Sequence, residues 1–514
     1  MNSINNNKII YFTLVIFCIF LSFANSLYQE AINSGLVLAD IINYPDSISP
    51  MKYYYYNSWT SINQFSEILL RSGFSILNSS RIILFMSLLF FSFSSFIIVS
   101  KLTSNKYLAI VTSILLLILQ KNFGDTDYPS LIISNHTYGM ISLGLSSLIF
   151  SLILNNSIKL ASFFSTLLVC VHPVVGSWIL FIIIFSLFVI KNRKLRIDFI
   201  KGAIPGFAIT ILSLISFYLK NIGTVDFDTT NLQLYMENWD GHRNKAGFIH
   251  FEYLIKTLAL FLLVNIYFFI NKTKNNLFQN FFNISILLST ASYFLFKFIP
   301  EILPDLLIKS MPSRFLILHS FIGWPLIISI VYLMLIKFNK TKNFTTISIV
   351  FFLLIYSIQH YKNFVKLKND FIINISKNSS ENTTTFFKDL KNLEKTGYVV
   401  TSSGISVYIH SLSLKPVLLD TQSFDFIPYH PYLVDPVFKI LNDVYSVDIN
   451  NPPIKNNAYI PNSFIKTSFE NKNRSDWIFL KKKYNTDYIV VPSDWNINLD
   501  IIKKNKSFAA YQIK

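Results

Sequence analysis

Residues 38–64 read LADIINYPDSISPMKYYYYNSWTSINQ, and they follow a stretch, 9–27, dominated by Phe, Ile and Leu. Apolar segments on either side hold such a loop at a membrane surface. Tyrosine and tryptophan suit that boundary because each has an apolar body and a polar tip. This accounts for Tyr53 to Tyr56 and for Trp59. Glu30, Asp40 and Asp46 have no anchoring duty there. Carboxylates beside lipid raise the question of chemistry.

Composition sets the class. The 514 residues are 52% hydrophobic and only 14% charged, with a mean hydropathy of +0.44. Long apolar segments recur through the first 360 positions, which reads as a polytopic membrane protein. The formal charge of +17 comes from lysines in short loops and in a solvated tail. No basic helix or interleaved aromatic platform accompanies it, so nucleic acid is not an expected partner. Cys18 and Cys170 lie in apolar segments and make neither a disulfide framework nor a zinc site. Heavy use of Phe, Ile, Asn and Lys fits an AT-rich, bacterial genome.

A bilayer-spanning helix takes roughly 20 mostly apolar residues. Eleven segments qualify: 9–27, 81–100, 107–121, 138–155, 158–172, 176–190, 199–219, 253–270, 278–298, 314–336 and 343–359. The first has small residues at Ala24 and Ser26, so a cleaved signal peptide is the alternative to a retained helix. Alternate loops carry Lys101 and Lys106; Lys159; Lys191, Arg193, Lys194, Arg196 and Lys201; Lys272 and Lys274; Lys337, Lys340 and Lys342. The loops between them carry Glu30, Asp40 and Asp46; Asp125 and Asp127; Asp226, Asp228, Glu237 and Asp240; Glu301 and Asp305. Short translocated loops avoid Lys and Arg. The N-terminus is therefore expected inside, and the acidic loops and everything after residue 360 outside.

Within the first loop, Ser61 to Leu77 puts Ile62, Phe65, Ile68, Leu69 and Phe74 at helical spacing, with Glu67 and Arg71 four apart on the polar side. It reads as a helix lying in the interface, as does Glu301 to Met311. Three parts follow: a membrane domain, 1–360; a polar linker, 361–383; and a small α/β domain, 384–514. The last has helices expected near 384–395, 431–445 and 475–484, and strands at 398–401, 415–420, 487–492 and 508–513. No Walker or Rossmann glycine pattern occurs.

Several residues have the right type and place for chemistry. Asp125 and Asp127 form an Asp-x-Asp that can turn two hard oxygens toward one divalent cation, or simply be a solvated loop. His172 follows Cys170-Val171 and precedes Pro173 in a tight turn between two apolar segments, where it either caps a helix or meets substrate. His136 has the same two readings. Glu237 to Lys245 is an external cluster of both signs. Arg314 opens the tenth segment, where a guanidinium can take a phosphate by paired hydrogen bonds or reach for lipid. His319 and Pro325 read as a kink with a satisfied neighbour.

Acids in the first external loop (Asp40, Asp46), a surface helix in that loop, acids in the second loop (Asp125, Asp127), about 11 helices and a C-terminal external α/β domain together resemble the polytopic glycosyltransferases of the GT-C fold. The resemblance covers the whole chain and rests on architecture more than on motif. Tyr44-Pro45-Asp46-Ser47 departs from the usual Asp-Glu or Asp-x-Asp of that first loop, which leaves the base open between Asp40 and Asp46. The resemblance implies an all-α membrane domain with an extracytoplasmic α/β domain, in the inner membrane of a bacterium. It implies a sugar donor carried on polyprenyl phosphate, a glycan, lipid or protein acceptor, and a divalent cation such as Mg or Mn. Asp40 or Asp46 would then take the acceptor's proton, and Asp125 and Asp127 would hold the metal. Arg314 and His172 would neutralise the leaving phosphate. Tyr44 and the Tyr53 to Tyr56 run would stack on sugar or anchor the loop. A transporter or flippase and a non-catalytic envelope protein are the rival readings. A transporter places ionisable groups at the bilayer midplane, whereas here the acids gather in the loops.

Overall fold

A computed structural model describes residues 2–25, 28–45, 49–119, 123–124, 132–224, 226–241, 243, 250–271, 276–339, 346–350, 381–421 and 424–514. Seven of its helical segments are long and apolar enough to cross a membrane by length and composition, and three shorter apolar helices accompany them. In chain order the apolar elements are α1 (Asn2–Ala24), α5 (Ile76–Thr103), α6 (Lys106–Leu119), α7 (Thr137–Leu154), α8 (Ile158–Val171), α9 (Pro173–Ile190), α10 (Arg193–Lys220), α12 (Phe251–Asn271), α13 (Asn276–Phe298) and α15 (Gly323–Asn339). They match ten of the eleven expected segments; of the eleventh only 346–350 is described, as helix. Between α1 and α5 lie α2 (Ala31–Leu38), α3 (Pro50–Asn57) and α4 (Ser61–Arg71), and the later loops add α11 (Thr229–Asn238) and α14 (Asp305–Lys309). The chain is a multi-pass membrane protein.

At 14 residues, α6 and α8 are about 21 Å long, short of the roughly 30 Å hydrocarbon layer. Both are packed against longer neighbours rather than left to lipid. The centre is α7, every one of whose residues except Tyr138 is buried. Tight packing has a readable cause at one crossing. Gly202 and Gly206 stand four apart on α10, and a Cβ on either would overlap α8, at the Lys159 carbonyl and at Thr166 respectively. Small residues at this spacing let two backbones approach, and Thr210 Oγ1 then donates to the Thr166 carbonyl at 2.9 Å. Substituting Gly206→Val is expected to overpack this crossing by about 1–3 kcal/mol, seen as a lower melting temperature in detergent; an unchanged melt would contradict the packing.

The tenth span departs from expectation. The sequence predicts a helix over 314–336 with a kink at His319 and Pro325; Pro312–His319 instead winds as tight 3₁₀ turns and the regular helix begins at Gly323. Pro325 has no N–H and its ring crowds the carbonyl four residues back, which breaks the helix there. His319, buried beside the break, is bonded to Ser285 Oγ at 2.9 Å and to the Leu316 carbonyl at 3.1 Å.

The loops sort into two faces. On one, Glu30 N–H donates to the Asn135 carbonyl at 3.2 Å, Thr60 Oγ1 to Val171 at 2.7 Å, and Arg243 Nε to Lys309 at 3.1 Å. These join the acidic loops to one another. On the other, Asn105 Nδ2 donates to Tyr332 at 2.9 Å and Thr346 at 3.0 Å, and Lys159 pairs with Asp198 at 3.7 Å. These join the basic loops. Among the described residues, these contacts join acidic loops to outer loops and basic loops to basic loops.

The C-terminal part stands on the acidic face. Its helices are α16 (Glu381–Lys391), α17 (Val434–Tyr445), α18 (Asn462–Glu470) and α19 (Arg474–Tyr484), around β1 (Tyr398–Thr401), β2 (Thr486–Pro492), β3 (Asp500–Lys504) and β4 (Phe508–Gln512). The sheet order is β1-β2-β4-β3, with β1 and β2 parallel and the other pairs antiparallel. The expected strand at 415–420 reduces to a single bridge, Val399 to Val417, because Pro416 has no N–H for the ladder. The polar edge strand β3 and helix α18 were not expected from sequence. Of the proposed linker 361–383, residues up to 380 lie outside the described residues.

Side chains alternate across a strand, and here each face of the sheet meets a different core. Val399, Tyr488, Val490 and Ala510 pack with Phe386 and Phe387 of α16. Tyr398, Val400, Ile489, Val491 and Tyr511 belong instead to the large core that runs on through the first loop into the membrane helices. Burial on both faces explains why β2 is almost continuously apolar.

Candidate functional site

The site is built where the first loop meets the N-terminus of α7. Gln29 Nε2 donates to the Ser134 carbonyl at 2.9 Å, and Thr137 Oγ1 donates to Gln29 Oε1 at 3.1 Å. This stapling fixes Glu30, whose carboxylate lies 3.0 Å from His136 Nδ1. Both side chains are about two-fifths exposed, at 41% and 42%, so the pair is held yet reachable. Tyr138, one helical step on, donates to Asn63 Oδ1 of α4 at 2.7 Å and lies within electrostatic reach of Glu30 and Tyr54.

His172 approaches from the turn between α8 and α9. It caps α9, its Nδ1 accepting from the Val175 N–H at 3.4 Å, with Pro173 in the first helical position where a missing N–H costs nothing. Among the described residues its Nε2 has no hydrogen-bond partner, and His136 is within electrostatic reach. From above comes Tyr54, whose hydroxyl is pushed up chiefly by burial and then by the charges of Glu30, Asp425 and Asp420. Charges of the first loop and of the C-terminal part thus act on the same tyrosine.

The residues singled out from sequence are distributed differently. Asp46, Asp125 and Asp127 lie outside the described residues. Asp40 follows α2 with φ 59 and is 70% exposed, its Oδ2 held 2.7 Å from Arg71. Arg71 also bonds Glu67 at 2.8 Å, and Lys220 of α10 pairs with the same Glu67, so Asp40 ends a charged chain that fastens α4. Arg314 opens the tenth span at this face and is half-buried. Tyr44 is buried at the joint with the C-terminal part. Glu30, by contrast, is in the sequence one acid of its loop beside Asp40 and Asp46. Its signal is position: it is the first carboxylate after the first span.

The joint itself is made by the tyrosine run. Ser49 caps α3 and also donates to the Leu418 carbonyl at 2.8 Å. Tyr44 OH meets His410 Nε2 at 3.0 Å, and Tyr55 OH meets Nδ1 of the same ring at 3.4 Å. Tyr54 stacks on Phe426 at 4.8 Å between centroids. Asn57 donates to Tyr432 OH at 2.8 Å, and Ser58 meets His430 Nε2 at 3.0 Å. The four tyrosines therefore face protein across most of their contacts.

Burial pushes His410 down to about 3 and His430 to about 4, against about 6.5 for a free histidine. Between those values and 6.5 the unfolded chain binds protons that the docked chain does not, so stability is present above pH 6.5 and falls as pH drops toward 4. Each histidine contributes up to about 1.4 kcal/mol per pH unit in that window. Melting curves from pH 7.5 to 5 are expected to show this loss, and a His410→Gln/His430→Gln protein a shallower one. Equal slopes would sink the assignment.

Among the described residues no group of three His, Cys, Asp or Glu side chains could hold a metal ion. A magnesium-type ion wants an octahedron of oxygens, and Glu30 with His136 supplies one carboxylate. The described residues do not build that site.

No family model matches the chain, and no curated protein matches it by sequence. Among solved structures it is similar to an oligosaccharyltransferase of Archaeoglobus fulgidus. The apo form aligns with a TM-score of 0.49 at 11% identity, over 94% of this chain and 70% of that one. The form tethered to an acceptor peptide containing the NVT sequon gives 0.46 at 11%, over 94% and 69%. The complex of AglB with an inhibitory peptide and a dolichol-phosphate gives 0.43 at 10%, over 95% and 70%. At these values no residue role passes from those proteins to this chain.

Proposed function

We propose that this chain is an integral-membrane glycosyltransferase of GT-C type. It moves a sugar from a polyprenyl-phosphate donor to an envelope acceptor at the face that carries the C-terminal part, taken as the outer face of a bacterial cytoplasmic membrane. The observation that carries the reading is the Glu30–His136 pair, a held but accessible carboxylate and imidazole at the loop ends of apolar helices. A base must reach the proton it removes, at about 2.6–3.2 Å. Glu30, 3.0 Å from His136, would do so for an acceptor hydroxyl, with His136 orienting it; Asp46 is the second candidate. As negative charge gathers on the leaving phosphate, His172 and Arg314 would offset it. Asp125 and Asp127 would orient the donor or bind a divalent cation. The satisfied, buried His319 speaks against a proton path through the bundle.

Mass spectrometry of envelope glycans and lipid-linked sugars from a deletion strain tests this directly. Loss of one glycan with build-up of a polyprenyl-linked sugar is the expected result. Unchanged profiles in both pools would overturn the proposal.

A further inference from the structure

The C-terminal part holds a cleft that takes no share in the contacts described above. It measures about 370 Å³ and is lined by Ser446, Phe464, Thr467, Ser468, Asn471 and Lys472. Ser446 follows α17 in the left-handed conformation, φ 58, and the others sit on α18 or just beyond it. Lys472 Nζ donates to Ser446 Oγ at 3.1 Å and to Ser468 Oγ at 3.3 Å, and Ser468 Oγ donates to Ser446 Oγ at 3.0 Å. An ammonium has three donors, so one is unspent among the described residues. The nearest carboxylates are engaged elsewhere: Asp443 with Lys483 at 2.6 Å, and Asp476 with the Asn473 backbone at 2.9 Å. Burial accordingly pushes the Lys472 ammonium down.

We propose that this cleft binds a neutral saccharide. Sugar hydroxyls both donate and accept, and the lining offers a cationic donor, a side-chain amide and three hydroxyls, of which Thr467 Oγ1 donates to the Ser463 carbonyl at 3.2 Å and is left to accept, with Phe464 as the apolar member. The volume falls at the lower end of small-molecule sites, room for one or two sugar rings. A bare anion fits less well. The C-terminal ends of α17 and α18 both turn toward the lysine, and their partial negative charge already offsets its own. The inference does not depend on sugar transfer, since a saccharide held here needs no reaction.

The test uses the full chain in a detergent without a sugar headgroup, titrated with cellobiose, chitobiose, glucuronate and inorganic phosphate, and followed by saturation-transfer NMR. A neutral disaccharide is expected to bind in the millimolar range. Lys472→Met and Asn471→Ala should each weaken it about fivefold, the loss of one hydrogen bond. Thr467→Trp, on an exposed helical face, should fill the cleft and abolish binding with an unchanged melting temperature, which covers the case in which Lys472→Met folds poorly. Absence of saturable disaccharide binding, equal binding in Thr467→Trp, or binding of phosphate or glucuronate in preference to both disaccharides would each overturn the assignment. These outcomes are separable from the glycan profile of the deletion strain.

Discussion

Replacing Glu30 by glutamine is expected to lower sugar transfer about a hundredfold or more, the usual contribution of a general base, while the protein still reaches the membrane. Glutamine keeps the size and the hydrogen bond to His136 but cannot take a proton. The staples around it, from the Glu30 N–H to the Asn135 carbonyl and through the Gln29 and Thr137 side chains, do not involve the carboxylate, so the fold has no reason to change. The measurement is the envelope glycan profile of a deletion strain carrying the variant, with protein amount and melting temperature alongside. Asp40→Asn is the informative companion. Asp40 is mostly exposed and tied to Arg71, and exposed pairs are worth about 0–1 kcal/mol. Little loss is expected from it. Full activity in Glu30→Gln, or an equal loss in both variants, would remove Glu30 from the role of base.

Trp239→Ala is expected to cost about 3–5 kcal/mol of stability, the range for truncating a fully buried tryptophan. Trp239 ends α11 and has no solvent exposure. Its ring lies 5.2 Å from Phe438 and 6.2 Å from Phe424, and its indole N–H donates to the Ile449 carbonyl at 2.8 Å. Tyr235 OH donates to Phe424 at 2.9 Å, and the Asn456 N–H reaches the Asn238 carbonyl at 2.8 Å. The substitution leaves a cavity and an unpaired carbonyl at the seam between the membrane helices and the C-terminal part. A clear fall in melting temperature in detergent is expected, with Leu306→Ala, 82% exposed, as the silent control. Matching melts for the two variants would mean that the seam carries little of the stability.

The membrane helices were legible because lipid leaves the chain few options: a span must be apolar for its whole length and hydrogen-bonded within itself. The broken tenth span was legible only in part. Pro325 announced a kink, but winding of 312–319 into 3₁₀ turns depends on neighbours. The tyrosine run shows the limit more sharply. A ring with an apolar body and a polar tip suits a lipid boundary and a protein seam equally well, and the partner that decides, His410, is 366 residues from Tyr44. Glu30 was passed over for the same reason. Its partner His136 is 106 residues away, and nothing local separates it from Asp40. Pro416 decided the strand at 415–420, and polar residues concealed β3.

The C-terminal part leans on the first loop, with Tyr398 against Tyr44 and Phe426 against Tyr54. A water-soluble fragment beginning near residue 381 would carry Tyr398, Phe426 and Tyr432, which face Tyr44, Tyr54 and Tyr53 of the first loop, into solvent as a bare apolar surface, and a surface of that kind drives aggregation. The C-terminal part therefore lacks the independence of a bead on a string. Mutations that alter its underside must be matched in the first loop, and a homologue's version transplanted by itself is expected to misfit. The first loop and the part above it are in that sense one inheritance.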